Sequence, residues 1–407
     1  MKIPLRIIGQ DPPIPPTLPT TSTRPSLEAW LRLGFRPFFS LGSTWAVLSI
    51  FLWLNLLLGH TQFLPGLQMI QWHAHEMFFG FALAIAAGFL LTAVPNWTGI
   101  PTPQGRSLGL LVLIWLGGRV ATWWGGYPGA VIDLMFVPAL AFALGSPLIR
   151  AGELRNLVFL PVLGLLWLAD LLFWAGNLGG DGRLASIGLL LALYGILTLV
   201  SLIGGRVIPF FAEKALSGLV PWRNKGLDDL CSIALPLSAV AESLAALPVA
   251  AKAVLLCSTG LLHGIRLGGW CERRVAKVPL LWILYLGYFF LPLGLLLKGL
   301  AYLGYGTPSA ATHALTAGCI GIMSLGMMAR VALGHSGREL RPAAWTRLAF
   351  VFIGLAAFLR SLVPYFWPSH YAEAIQCSGI FWCLAFTLFS FVYLPLLTRP
   401  RPDGKPG

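Results

Sequence analysis

The chain has 407 residues, 57% of them hydrophobic and only 11% charged, with a mean hydropathy of +0.78 and a formal net charge of +13. Soluble domains carry about a quarter charged residues, so this composition excludes an ordinary soluble enzyme and points to a membrane-embedded protein. The six cysteines (Cys231, Cys257, Cys271, Cys319, Cys377 and Cys383) form no CxxC pair, which argues against a disulfide framework or a zinc site.

Residues 1–33 begin MKIPLRIIGQDPPIPPTLPTTSTRPS. This Pro- and Thr-rich stretch reads as a flexible tail with no cleavable signal. A bilayer-crossing helix needs about 20 mostly apolar residues. Breaks at Pro, Gly and charged clusters then give twelve spans: Phe38–Leu58, Trp72–Val94, Ser107–Trp124, Pro128–Leu144, Leu157–Gly176, Leu184–Gly205, Cys231–Leu247, Val249–Leu267, Leu280–Ala301, Pro308–Val331, Ala343–Phe366 and Tyr371–Leu397. The expected architecture is an all-α polytopic membrane protein. It has one transmembrane domain over residues 34–398 and a short tail over 399–407.

Charge tests this count. With both termini in the cytoplasm, 23 of the 28 basic residues fall in inner segments, and only Arg119, Arg183, Lys252, Lys298 and Arg360 fall in outer ones. One missed or added span would reverse every later loop, so the positive-inside rule supports twelve spans with cytoplasmic termini. It also assigns the net positive charge to anionic lipid at the inner face, with no need for nucleic acid as a partner.

The second span opens QWHAHEMFFG, with His73, His75 and Glu76 in its first turns and an apolar run behind them. Helix residues turn by about 100°, so His73 and Glu76 share a face and His75 points nearly opposite. The tenth span, THALTAGCIGIMSLGMMARVALGHSGR, also enters from the outer side on a histidine, His313. Setting His313 beside His75 brings Gly318 beside Gly80, Gly326 beside Gly88 and Gly337 beside Gly99. Two imidazoles facing each other in a bundle suit axial ligation of haem iron. The alternative is interhelical hydrogen bonding or a wet interface.

Asp133, Asp170 and Glu242 lie towards the same side, as a proton path or a support around a metal, or, for Asp133, as a partner of Arg119. A second set lies inward: His263, His335, Arg206 and Arg330. The arginines there either anchor to lipid phosphate or hold haem propionates or another anion. Cys319, Met323 and Met327 recur at helical spacing, a stripe that suits copper or plain packing. The sixth and seventh spans contain no histidine, so by analogy a haem–copper oxidase type of catalytic centre is not expected.

GFRPFF at Gly34, WHAHEMFFGFALAIAAGFLLTAVPNWTG from Trp72, GGRVIPFF from Gly204 and HALTAGCIGIMSLGMMARVALGHSGR from His313 resemble the NnrS family across nearly the whole chain. The resemblance implies a twelve-span protein of the bacterial inner membrane that contains haem, of b type, and copper. It further implies a link to denitrification and to the nitric oxide (nitrosative stress) response, with nitric oxide as ligand or signal. The family pattern points to His73, His75, Glu76, His313, Arg330 and His335, without dividing them between haem and copper; copper is implied by the resemblance alone. The alternatives are a redox enzyme acting on nitrogen oxides and a transporter of a metal or small anion. The absence of a GxxxxGK[ST] motif argues against ATP-driven transport.

Overall fold

The computed structural model describes residues 24–60, 66–152 and 154–403. Of the expected tails, residues 1–33 and 399–407, the parts 1–23 and 404–407 lie outside the described residues. The structure is 83% helical and no strand is found among the described residues. In lipid every backbone polar group must be satisfied within its own segment, which leaves helices as the way for an open chain to span.

Among the described residues, eleven helices are long and apolar enough to cross a membrane: α1 (Phe35–Leu57), α2 (Met69–Thr98), α3 (Arg106–Trp124), α4 (Gly126–Ala151), α5 (Arg155–Gly179), α6 (Gly182–Ala215), α8 (Val249–Gly268), α9 (Pro279–Tyr302), α10 (Pro308–His335), α11 (Ala344–Phe366) and α12 (Pro368–Thr398). Between α6 and α8 runs α7 (Lys225–Ser243). It is less apolar because it carries Asp228, Asp229 and Glu242. It nevertheless lies antiparallel to α8 along its length: Asp228 pairs with Arg266 at 2.7 Å, Ser238 bonds Thr259 at 3.1 Å, and Lys252 donates to the Glu242 carbonyl at 3.2 Å. The twelve spans read from the sequence therefore correspond one for one to twelve helices.

The two ends of the described chain meet. Ser26 N donates to Thr398 O at 3.0 Å, and the Arg36 guanidinium donates to the carbonyls of Leu397 and Arg399 at 2.9 and 2.7 Å. Ends on one side require an even number of crossings, which agrees with counting α7 as a crossing. The helices differ in depth: 94% of the apolar window of α10 and 83% of that of α2 is buried, against 33% for α12. Thus α2, α6 and α10 form the centre and the others surround them.

Two central helices share an irregularity. In α2 the segment Glu76–Ala82 is π-helical, and in α10 so is Ala314–Gly321. Each π segment begins immediately after a histidine, His75 in α2 and His313 in α10. A π turn inserts a residue and re-aims the side chains on either side of it, and such turns concentrate at functional sites. The Gly80 carbonyl in the first segment accepts from Trp115 Nε1 at 3.2 Å. The glycine register extends the match. Gly80 and Gly88 are closely approached by Trp45 and Phe39 of α1, while Gly318 and Gly326 are approached by Phe290 and Ile283 of α9. Gly99 and Gly337 both have φ +70° just past their helices, a conformation that favours glycine. The α1–α2 pair and the α9–α10 pair are thus built alike.

Candidate functional site

Thr307 caps α10 by accepting from Ala310 N at 3.3 Å, with Pro308 in the first turn. This start places His313 just ahead of the π segment. His313 Nδ1 donates to the Ser309 carbonyl at 2.7 Å. Since the carbonyl can only accept, the proton sits on Nδ1 and the lone pair on Nε2. His73 comes from α2. Its ring stacks on Trp53 of α1, with centroids 4.3 Å apart and planes 17° from parallel. Its Nδ1 is buried without a hydrogen-bond partner.

His73 and His313 line the same cavity, of about 320 Å³, at the end of the bundle where α2 and α10 begin. Its walls are largely apolar and aromatic, including Met77, Phe81, Leu189 and Trp382. Two cations complete the lining. Lys298 is held by Glu242 at 2.7 Å. Arg360 donates to Ser309 Oγ at 3.4 Å, and its Nη1 is buried without a partner.

His75 is turned away from this cavity into a second cluster. Its Nε2 lies 2.9 Å from Asp133 Oδ2 and 3.1 Å from Asp170 Oδ1, and its Nδ1 lies 3.3 Å from Glu76 Oε1. Arg119 donates to Glu76 Oε2 at 2.8 Å and also pairs with Asp133. Trp174 Nε1 donates to Asp133 at 2.9 Å, and Phe173 stacks on the His75 ring at 4.6 Å. Every ionisable member is at most 2% exposed. With a neutral imidazole, three carboxylates face one guanidinium, so two protons must be shared within the cluster for it to be neutral. A buried net charge costs several kcal/mol.

The sequence left Asp170 and Glu242 without partners. The structure gives Asp170 the His75 imidazole, and gives Glu242 the Lys298 ammonium together with the Tyr194 and Tyr302 hydroxyls, the latter at 3.0 Å. The inner set also divides. His263 Nδ1 bonds the Tyr288 hydroxyl at 2.9 Å, beside Arg266, and lines neither large cavity. Arg206 and His335 line a cavity of about 550 Å³ at the opposite end, and Arg330 lies against Phe211 of its wall. Cys319 is fully buried, while Met323 and Met327 share a small cavity of about 60 Å³ that Cys319 does not line. All six cysteines are free thiols.

Arg360 and Lys298 are site residues that the histidine motifs do not reveal. Both carried a signal: they are among the five basic residues on the wrong side of the positive-inside pattern. Arg119 and Lys252 are two more of the five, and each is committed to a buried acid or its carbonyl.

A twelve-helix bundle with paired imidazoles in an apolar cavity and a buried carboxylate–imidazole cluster beside it defines a multi-pass membrane protein with internal polar sites. Residues 29–401 match the family described as NnrS protein, and the chain belongs to that family. No curated protein matches it.

Proposed function

We propose that this chain is a haem-bearing protein of the bacterial inner membrane that serves the nitric oxide response, with the haem between His73 and His313. One observation carries the reading: imidazoles from two separate central helices line a single apolar cavity. Four features support the fit. His73 has an orphaned ring nitrogen; the His313 tautomer leaves Nε2 as a donor; Ala74, Ala317 and Gly379 let a flat group approach; and Arg360 offers an unpartnered N–H to a propionate. Bound there, haem would supply a redox-active iron with affinity for nitric oxide. The chain's own residues fix the two rings through Trp53 and Ser309.

Copper fits less well. Among the described residues the one group of three donors within reach of an ion is His75, Asp133 and Asp170. Its carboxylates are hard ligands, whereas copper favours softer donors, and Arg119 already occupies Asp133. We assign this cluster to proton storage.

A second reading rests on the alignment of cavities. Ile320 walls both the histidine cavity and the 60 Å³ cavity, and Phe89 walls both the 60 Å³ cavity and the cavity at the opposite end. In the middle cavity Ser324 is the one polar residue of the lining. This path suits a small uncharged molecule; an ion would cross it at the cost of its hydration. The experiment is a visible spectrum with iron analysis of detergent-purified protein. A Soret band that shifts on adding nitric oxide supports the proposal. Colourless, iron-free protein from haem-sufficient cells refutes it.

A further inference from the structure

The cavity at the opposite end of the bundle is unlike the histidine cavity. Arg155, Arg206 and Arg223 line it together with His335, and no acid is among its lining residues. Arg206 is fixed: Nη1 donates to Asn156 Oδ1 at 2.9 Å, Nη2 donates to the Arg155 carbonyl at 2.7 Å, and the guanidinium lies over the stacked rings of Trp97 and Phe159. Arg223 reaches in from the segment after α6 and pairs with exposed Glu213 at 2.7 Å. Behind the wall, Arg330 is 7% exposed and makes no ion pair or hydrogen bond among the described residues. Its guanidinium carbon is 3.8 Å from the centroid of Phe211, which lines the cavity.

Arg155 and Arg206 carry like charge side by side in a partly exposed recess, where such a pair repels by about a kcal/mol at short range. Glu213 offsets Arg223 at the rim, and no acid lines the cavity against Arg155 and Arg206. The arrangement is relieved by an anion. Arginine forks match phosphate oxygens in pairs, and the aromatic wall of Trp97 and Phe211 gives an apolar body something to lie against. Basic recesses between transmembrane helices bind the headgroups of anionic lipids on this basis.

We propose that this cavity is a phosphate-binding site, for a phosphate group carried either by a membrane lipid or by a soluble molecule. It is independent of the haem reading, since it shares no residue with the histidine cavity. The test is the thermal unfolding of the purified full-length protein in detergent. The additions are phosphatidylglycerol, phosphatidylcholine, or sodium phosphate against sodium chloride at matched ionic strength. Phosphatidylglycerol is expected to raise Tm where phosphatidylcholine does not. A rise confined to phosphatidylglycerol assigns a lipid headgroup, and a rise with sodium phosphate as well admits a soluble phosphate. Arg206→Gln is expected to weaken the apparent affinity roughly tenfold, the loss of a charge-assisted hydrogen bond. Arg223→Gln, at an exposed position that does not threaten folding, weakens it to a smaller extent. Arg347→Gln, exposed at the same end but outside the cavity, leaves it unchanged. Equal responses to both lipids with no effect of phosphate, or unaltered binding in both cavity variants, overturn the proposal.

Discussion

His313 Nδ1 donates to the carbonyl of Ser309, one turn earlier in the same helix, at 2.7 Å. The helix thus sets the tautomer of its own histidine and directs the other ring nitrogen outward. Small groups that orient a ligating imidazole in this way sustain affinity as the ligand itself does.

His313→Gly removes the donor and leaves a space of imidazole shape. The Soret absorbance per protein is expected to fall by about tenfold or more and to recover when imidazole is added to the buffer. His73→Gly behaves likewise. A spectrum that survives both substitutions separately rules out axial ligation by this pair.

His75→Ala separates the two clusters. His75 bonds Asp133 and Asp170, and removing it leaves their buried oxygens short of a partner, at a cost of about 1–3 kcal/mol. The variant is expected to unfold well below the wild type in detergent. Its haem content, measured on the fraction that remains folded, stays unchanged. Haem loss at wild-type stability would place His75 at the iron.

Lys298 and Glu242 form a buried pair at 2.7 Å on the edge of the histidine cavity. Lys298→Met and Glu242→Gln should each destabilise the protein, and the double variant by less than the sum, because each single change orphans its partner. A coupling of about 1–3 kcal/mol is expected from a double-mutant cycle of unfolding. Additive losses would mean that Tyr194 and Tyr302 satisfy Glu242 without the lysine.

Much of this architecture was legible in the sequence because lipid allows so few solutions. Apolar length marked eleven of the helices, and the bias of basic residues argued for a twelfth, α7, whose acids lower its hydropathy. The glycine register between α2 and α10 was visible as a weak self-match. Its physical origin, close approach of α1 and α9 respectively, needed coordinates. The site was less legible. Straight-helix geometry put His73 and Glu76 on one face, whereas the Glu76 carboxylate reaches Arg119 and the His75 ring, away from the cavity that His73 lines. Partners such as Asp170 for His75 join α5 to α2 across ninety-odd positions of sequence, and no local pattern announces that pairing.

Gly318 tests whether the repeat matters to packing. A Cβ there would overlap the Phe290 ring of α9. Gly318→Val is expected to cost about 1–3 kcal/mol through overpacking, seen as a lowered Tm. A matching loss in Gly80→Val, against Trp45 of α1, would show that both helix pairs depend on the same close approach. Tolerance at either position would mean that the pairs are alike in sequence register but not in energetics.

Arg360 supplies the last test, because its charge acts on the cavity from a fixed position. It donates to Ser309 Oγ at 3.4 Å and lines the cavity between the two imidazoles' helices and α12. A cation near a redox centre favours the reduced state, which carries one positive charge less. Arg360→Gln keeps a hydrogen-bonding side chain of similar length and removes that charge. The midpoint potential of the purified protein is expected to fall by roughly tens of millivolts, in line with the attraction between unit charges in a partly buried site. His313→Gly with added imidazole serves as the reference for a merely loosened site, where the band broadens but Arg360 still acts. An unchanged midpoint in Arg360→Gln would place the iron away from this cavity even if both histidine variants had lost colour, since the electrostatic effect of a buried charge does not depend on which residue ligates.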